Sequence, residues 1–181
     1  MNDNDLRVLK TKKALSQTLS RMLEKQELST ITVNSICKNA MVHRTTFYKH
    51  FYDKYDLLVY VLREQFQGYF SLDIKQRINH PFQSAFSIVF IDLQTILAKQ
   101  EKDEAFSKTV ADYFLAEFQR DIESNIDKLT LSEDFPPDLL TYIYAANIGA
   151  ILHWARNTDE PYDWAHLDKL FTAVLPVKIN I

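Results

Sequence analysis

The segment from Arg44 to Phe51 carries the side chains best suited to specific polar contacts. Phe47 and Phe51 are four residues apart, so on a helix they share one face and pack inward. The other side of the same helix carries the polar and charged residues Arg44, Thr45, Tyr48 and Lys49. A guanidinium fork matches guanine, and hydroxyl and ammonium groups match bases or phosphates. This pattern predicts contact with DNA, and the alternative is the solvated polar face of an ordinary helical module.

Helical periodicity predicts the elements that would position this segment. A first amphipathic helix is predicted over 6–24, and a second is capped by Thr32 and stops near Ala40. The pattern resumes at His43 after a break of three or four residues. A helix, a short turn and a second helix at this spacing are typical of a DNA-reading helix-turn-helix unit.

The rest of the chain is also predicted to be helical. Asp53 is expected to cap a helix that continues to about Tyr69, with Asp56 as its capping-box acid. Prolines and Asp103 mark the starts of later helices, which are predicted over 81–100, 103–129, 136–157 and 162–175. Only two glycines occur, which argues against a β-rich fold. The predicted fold is all-α, with an N-terminal three-helix DNA-binding domain at 1–54 and a larger helical bundle at 55–181.

Composition and charge agree with this division. The chain has 181 residues, of which 46% are hydrophobic, so it can bury a substantial core. Residues 1–60 contain ten Lys/Arg and six Asp/Glu, whereas the remaining residues carry a net charge of −7. A basic module beside an acidic body favours a polyanionic partner for the N-terminal part. The single Cys37 and the absence of a long apolar run predict a cytoplasmic protein that does not associate with membranes.

Motifs for catalysis are missing from the sequence. We find no nucleophile elbow, no phosphate-binding glycine loop, no paired catalytic acids and no histidines at zinc-binding helical spacing. The sequence therefore predicts a protein that is not an enzyme and has no metal or cofactor.

The N-terminal third of the chain resembles the DNA-binding signature of TetR-family regulators over roughly residues 10–60. The resemblance is carried by Thr32-Val33-Asn34-Ser35-Ile36-Cys37-Lys38-Asn39-Ala40, Val42, Thr46-Phe47-Tyr48-Lys49-His50-Phe51, Lys54 and Leu57. It implies phosphate or sugar contacts for Thr32, Tyr48, His50 and Lys54, and base contacts for Arg44 and Thr45, with Tyr48 open to both roles. Thr46 and Lys49 complete the predicted DNA-binding set.

Three positions depart from the family pattern. Glu27 and Met41 stand where the family commonly has glycine, and His43 stands where it often has a small hydroxyl cap. A non-glycine residue in left-handed backbone costs on the order of 1 kcal/mol. We therefore expect a local cost at Glu27 or Met41 if either adopts that conformation.

The C-terminal body is rich in aromatic residues. Aromatic residues at helical spacing usually form core, but the resemblance implies a cavity for a small-molecule effector among them. The predicted lining residues are Phe66, Phe90, Tyr113 and Tyr144. The identity of the effector is left open.

The segment 138–157 is apolar nearly all round, so it must be covered on two sides. One cover could be a second subunit, and the alternative is a buried central helix of a monomer. The resemblance implies that the last two helices pair with those of a second chain. The predicted interface residues are Ala145, Gly149, Leu152, Trp164, Leu167 and Phe171.

These expectations combine into a homodimeric transcriptional repressor on a near-palindromic DNA operator, modulated by an effector bound in the C-terminal domain. The alternative is a regulator or adaptor whose C-terminal domain binds a partner protein instead of a small molecule.

Overall fold

The computed structural model describes residues 6–85, 91–131, 135–175 and 178–179. These ranges contain ten α-helices: α1 Leu6–Leu23, α2 Val33–Ala40, α3 Arg44–Phe47, α4 Lys54–Phe70, α5 Ile74–Asn79, α6 Pro81–Ala85, α7 Ile91–Lys99, α8 Glu104–Asn125, α9 Pro137–Asn157 and α10 Trp164–Val174. Short 3-10 helices occupy Leu28–Thr30 and Ile126–Lys128. Strands β1 (Leu129–Thr130) and β2 (Lys178–Ile179) form a small antiparallel pair. The predicted all-α class is confirmed.

Side-chain caps fix where several helices begin. Thr32 accepts a hydrogen bond from the Ser35 amide, and Ser35 reaches back to the Thr32 amide in a reciprocal capping box. Asp73 caps α5 through the Lys75 amide, and Asp163 caps α10 through the His166 amide. Each cap satisfies an N–H group that has no partner within its helix.

The chain divides into two compact units. The first consists of Met1–Gln65 with Asp92–Ala111, and the second of Phe66–Ile91 with Asp112–Ile181. The division falls inside α4 and inside α8. The boundary after residue 54 stays a prediction.

The first unit has an aliphatic core closed by two phenylalanines. Its fully or almost fully buried residues include Leu15, Leu19, Leu23, Leu28, Ile31, Ile36, Phe47, Phe51, Leu57 and Leu58. These residues come from α1 to α4, from the 3-10 helix at Leu28–Thr30 and the residue after it, and from the turns that follow α3. They hold α3 against the unit by one face.

The second unit has an aromatic core. Ring pairs pack at centroid distances of 4.6 Å for Phe66 and Phe114, 4.8 Å for Phe118 and Tyr144, and 5.0 Å for Tyr144 and Phe171. Edge and tilted geometries of this kind stabilise beyond the buried area alone.

The predicted helix over 81–100 includes residues 86–90, which lie outside the described residues; on either side of them the chain is helical, as α6 and α7. Helix α5, over Ile74–Asn79, was not predicted as a separate element. Within the described residues, no helix combines the length and the apolar character needed to cross a membrane.

Candidate nucleic-acid interface

The turn between α2 and α3 is built around Met41. Its backbone lies in the left-handed region, with φ 54° and ψ 39°. The Val42 amide donates to the Cys37 carbonyl at 3.0 Å and the Met41 amide to the Lys38 carbonyl at 3.3 Å. This is the Schellman pattern that ends a helix sharply. The expected cost of a non-glycine residue therefore applies at Met41.

Glu27 does not carry the same cost. Its backbone is extended, with φ −65° and ψ 142°, before the 3-10 helix at Leu28–Thr30. Any L-residue adopts this conformation without strain.

Helix α3 is short and is extended by tight turns. The His50 and Phe51 amides both donate to the Phe47 carbonyl at 2.9 Å, so the helical path continues past Phe47 to the end of the segment. The Phe47 ring lies 5.8 Å from the Phe51 ring, and both are buried as predicted. We define the α3 outer face as the exposed residues Arg44, Thr45, Tyr48 and Lys49.

Two residues of the α3 outer face are already ordered against each other. The Arg44 guanidinium lies 5.4 Å from the centroid of the Tyr48 ring, and its Nη2 donates to the Tyr48 hydroxyl at 3.3 Å. The Tyr48 side chain remains 48% exposed. A stacked arginine and tyrosine lose less conformational freedom on binding than two free side chains would.

The other predicted DNA-binding residues are less open. Thr32 is exposed at the start of α2, although its hydroxyl is also engaged with Ser35. Thr46 and His50 are half-buried. The cluster therefore includes an exposed centre on α3 and flanking groups with partial exposure.

Lys54 does not have the geometry predicted for a phosphate contact. Its Nζ donates to the carbonyls of Leu28, Ser29 and Ile31 at 2.8, 3.1 and 2.8 Å. All three of its ammonium protons are thus used inside the chain. The Asp53 carboxylate accepts from the first amides of α4, so those amides are also occupied.

Burial lowers the pKa of the Lys54 ammonium, while the carboxylates of Asp103 and Asp53 act in the opposite direction. Lys54 stabilises the end of the 3-10 helix, because its ammonium donates to the Ser29 and Ile31 carbonyls and adds a second donor to the Leu28 carbonyl, which also accepts from the Ile31 amide.

The turn between α7 and α8 holds the same 3-10 helix from another side. Gln100 is buried; its Oε1 accepts from the Leu28 amide at 2.8 Å, and its Nε2 donates to the carbonyls of Leu23 and Gln26 at 2.7 and 2.8 Å. The Asp103 carboxylate accepts from the Ser29 amide at 2.6 Å. Sequence reasoning missed this network, since its partners are more than seventy residues apart.

Tyr52 is a further candidate that the sequence analysis missed. It follows Phe51 directly and its side chain is 85% exposed. A highly exposed phenol beside the α3 outer face can reach phosphate oxygens. The alternation of buried Phe51 and exposed Tyr52 could have indicated it.

The residues predicted to line an effector cavity lie within the aromatic core of the second unit. Phe66, Tyr113 and Tyr144 are buried, and each packs against another ring. Phe90 lies outside the described residues. Burial raises the pKa of Tyr69 to about 12 and that of Tyr144 well above its usual value. These phenols are therefore neutral groups of the core.

The residues predicted for a dimer interface divide into two groups. Leu167 and Phe171 are fully buried within the chain itself, because their side chains complete its core, so they offer no surface to a second subunit. Ala145, Leu152 and Trp164 are half-buried, and Gly149 is exposed.

The remaining face of α9 is open and apolar. Its exposed members include Leu139, Tyr142, Ala146, Gly149, Ala150 and Trp154. The alternative of a central helix covered on all sides within one chain does not hold for this face.

In the part of the chain that the structure describes, no group of three histidine, cysteine or acidic side chains could hold a metal ion. The thiol of Cys37 is buried, and burial raises its pKa.

The chain is helical and has a helix, a short turn and a second helix near its N-terminus, and comparison with solved structures identifies the fold. The TetR transcriptional regulator from Streptococcus agalactiae 2603V matches with a TM-score of 0.62 and 20% sequence identity, covering 94% of this chain and 96% of that chain. E. coli NemR in its reduced form matches with a TM-score of 0.44 and 17% identity, covering 94% and 99%. No family model and no curated protein sequence matches this sequence.

The chain therefore has the fold of a TetR transcriptional regulator. The resemblance first seen over residues 10–60 is confirmed for the fold of nearly the whole chain.

Proposed function

We propose that this protein is a non-enzymatic, cytoplasmic transcriptional repressor that binds a near-palindromic DNA operator as a homodimer. The observation that carries the proposal is the α3 outer face. Arg44, Thr45, Tyr48 and Lys49 are exposed together on a helix whose other face is locked into the core by Phe47 and Phe51. A chain with the TetR-regulator fold that presents these groups on α3 is suited to major-groove contact.

The chemistry of these residues supports distinct roles. Arg44 and Thr45, at the start of α3, are proposed to read base edges. Tyr48, His50 and Thr32 are proposed to contact phosphate or sugar, with Lys49 and Tyr52 adding further backbone contacts. Lys54 is assigned to the support of the unit instead, because its ammonium is occupied by three carbonyls.

The homodimer is supported by the open face of α9. A single short helix reads too few base pairs for genomic specificity, whereas two copies read two half-sites. A glycine and two alanines in this face, at 146, 149 and 150, permit close approach of a second helix.

We further propose that an effector controls DNA affinity. An effector can prefer a conformer in which the two α3 helices have the wrong separation for DNA. It then weakens DNA binding by at most the ratio of its affinity for that conformer to its affinity for the DNA-binding conformer. In the described conformation Phe66, Tyr113 and Tyr144 each pack against a neighbouring ring, so a ligand that enters among them must displace such contacts.

The proposal is tested by selecting bound sequences from random double-stranded DNA with the purified protein. We expect enrichment of a near-palindromic site whose half-sites lie about one helical turn apart or somewhat more. Enrichment of no sequence over many rounds, at low salt where binding is strongest, would contradict it.

A further inference from the structure

A polar pocket lies at the corner between α5 and α6 in the second unit. It has a volume of about 230 Å³ and is lined by Gln76, His80, Gln83 and Ser84. This volume is below the roughly 300–1,000 Å³ typical of sites for drug-sized ligands, so it suits a small molecule. None of the lining residues that the structure describes is Lys, Arg, Asp or Glu.

A buried carboxylate stands behind the pocket. Asp168 on α10 is only 3% exposed. Its Oδ1 accepts from the Phe82 amide at 2.7 Å, and its Oδ2 accepts from Gln83 Nε2 at 2.8 Å. The Nδ1 atom of His80 lies 3.7 Å from the same Oδ2. The negative charge is thus kept in the core by donors from the pocket wall.

Asp168 fixes the orientation of one lining side chain. Its Oδ2 accepts a hydrogen bond from Gln83 Nε2, so the Gln83 amide turns its nitrogen towards Asp168. The atom of Gln83 left for a ligand is then the carbonyl Oε1, an acceptor. The His80 Nδ1 atom, at 3.7 Å from the same oxygen, is beyond hydrogen-bond distance, so the exposed imidazole can turn a ring nitrogen towards a ligand.

We propose that this pocket binds a small organic cation that carries N–H donors, such as a primary alkylammonium group. Oε1 of Gln83 and a ring nitrogen of His80 accept hydrogen bonds from its N–H groups, and the hydroxyl of Ser84 and the amide of Gln76 can adjust to it. The charge of Asp168 behind the wall favours a cation and disfavours an anion. The site is independent of the proposed DNA-binding function.

The test is a titration of the full-length protein by two-dimensional amide NMR, with three probes of equal size and different charge. The probes are propylammonium chloride, propan-1-ol and sodium propionate, added at constant ionic strength. We expect saturable shifts of the amides of residues 76–84 (other than Pro81) with propylammonium alone. Equal shifts with propan-1-ol or propionate, or the absence of saturable shifts with propylammonium, would overturn the proposal.

Gln83→Met removes the fixed acceptor while keeping the length of the side chain. Because a hydrogen bond to a charged group is lost, we expect propylammonium to bind about tenfold more weakly. Gln67→Met, at an exposed position of α4 outside the pocket, is the matched control and should bind as the parent does. Unchanged binding by Gln83→Met contradicts the assignment.

If thermal unfolding shows that Gln83→Met is not folded, His80→Ala replaces it, because the His80 side chain is 58% exposed and its removal leaves the core intact. The same weakening is expected, and unchanged binding again overturns the proposal. None of these measurements uses DNA, so their failure leaves the repressor proposal to be judged by the selection experiment alone.

Discussion

Met41 holds the helix-turn-helix turn in a conformation that side chains with a Cβ avoid. At φ 54° its Cβ crowds the following carbonyl, and the side chain itself is 92% exposed, so no burial compensates. The turn is nevertheless closed by two backbone hydrogen bonds. The geometry is thus maintained by the chain on either side of it and not by the residue at its centre.

Replacing Met41 with glycine should therefore stabilise the protein. We expect the free energy of unfolding to rise by about 1 kcal/mol, measured by urea denaturation at fixed protein concentration, because glycine adopts this backbone without steric cost. Glu27→Gly is the matched control. Since Glu27 has extended backbone, glycine there should give no gain or a small loss. Equal gains from both substitutions would contradict this account of the turn.

Lys54 and Lys49 should separate stability from DNA binding. Lys54→Met removes a donor that three carbonyls share, so we expect a loss of about 2 kcal/mol in the free energy of unfolding. Lys49→Met changes an exposed residue of the α3 outer face, and should leave unfolding unchanged while weakening DNA binding and reducing its salt dependence. If Lys54→Met instead left unfolding unchanged and weakened DNA binding, Lys54 would be a phosphate contact after all.

At the scale of elements, the α7–α8 turn supports the 3-10 helix before α2 through Gln100 and Asp103. Burial alone would raise the pKa of Asp103, but hydrogen bonds from the backbone amides of Ser29 and Phe106 outweigh it and lower the pKa below its usual value. A carboxyl whose pKa is lowered in the folded state contributes stability above its unfolded pKa. That contribution is lost as the pH falls through the folded value.

Asp103→Asn should consequently lower stability at neutral pH and flatten the loss of stability below about pH 4, the usual range of an aspartate. Asn supplies one acceptor oxygen where Asp103 uses two. Urea denaturation from pH 7 to pH 3 measures both effects. Asp127→Asn, at an exposed site, should retain the parent's pH dependence. A curve for Asp103→Asn that parallels the parent's at every pH would be inconsistent with this role.

Helix starts were predictable where a side chain supplies the missing backbone partner. Thr32 and Asp53 were identified as caps before α2 and α4, and both are observed as caps. The end of α2 near Ala40 was also predicted. The capping side chain and the amide that it binds are only a few residues apart, so such signals can be recognised in a single sequence.

Long-range partners could not be predicted in this way. The carbonyl contacts of Lys54 and the bonds of Gln100 depend on segments far apart in the chain, and a lysine at a helix start gives no sign of which group it meets. The sequence also could not show that Leu167 and Phe171 belong to the core of the chain, because core and interface positions have the same apolar periodicity.

At the scale of the whole molecule, α4 and α8 each begin in the first unit and end in the second. The proposed homodimer would pair two chains through the open face of α9 and so present two copies of α3.

Gly149→Glu tests that assembly. A Cβ added at Gly149 meets nothing within 4 Å, so the substitution fits the single chain. In a close pair of α9 helices it buries a charge, and we expect the molecular mass measured by light scattering to fall from that of two chains to that of one. Ser124→Glu, exposed on α8, should remain dimeric. If the Gly149→Glu protein remained dimeric, the interface would not lie on this face of α9.

The most direct test of the role of the α3 outer face is a gel-shift titration on the selected operator with Arg44→Ala and Tyr48→Ala. Each variant should remain folded and dimeric by circular dichroism and light scattering, while its affinity for the operator falls on the order of 100-fold or more, as each change removes contacts at two half-sites. Lys102→Ala, exposed at the α7–α8 turn, should bind as the parent does. Operator affinity retained by both Arg44→Ala and Tyr48→Ala would contradict the assignment of α3 as the DNA-reading element.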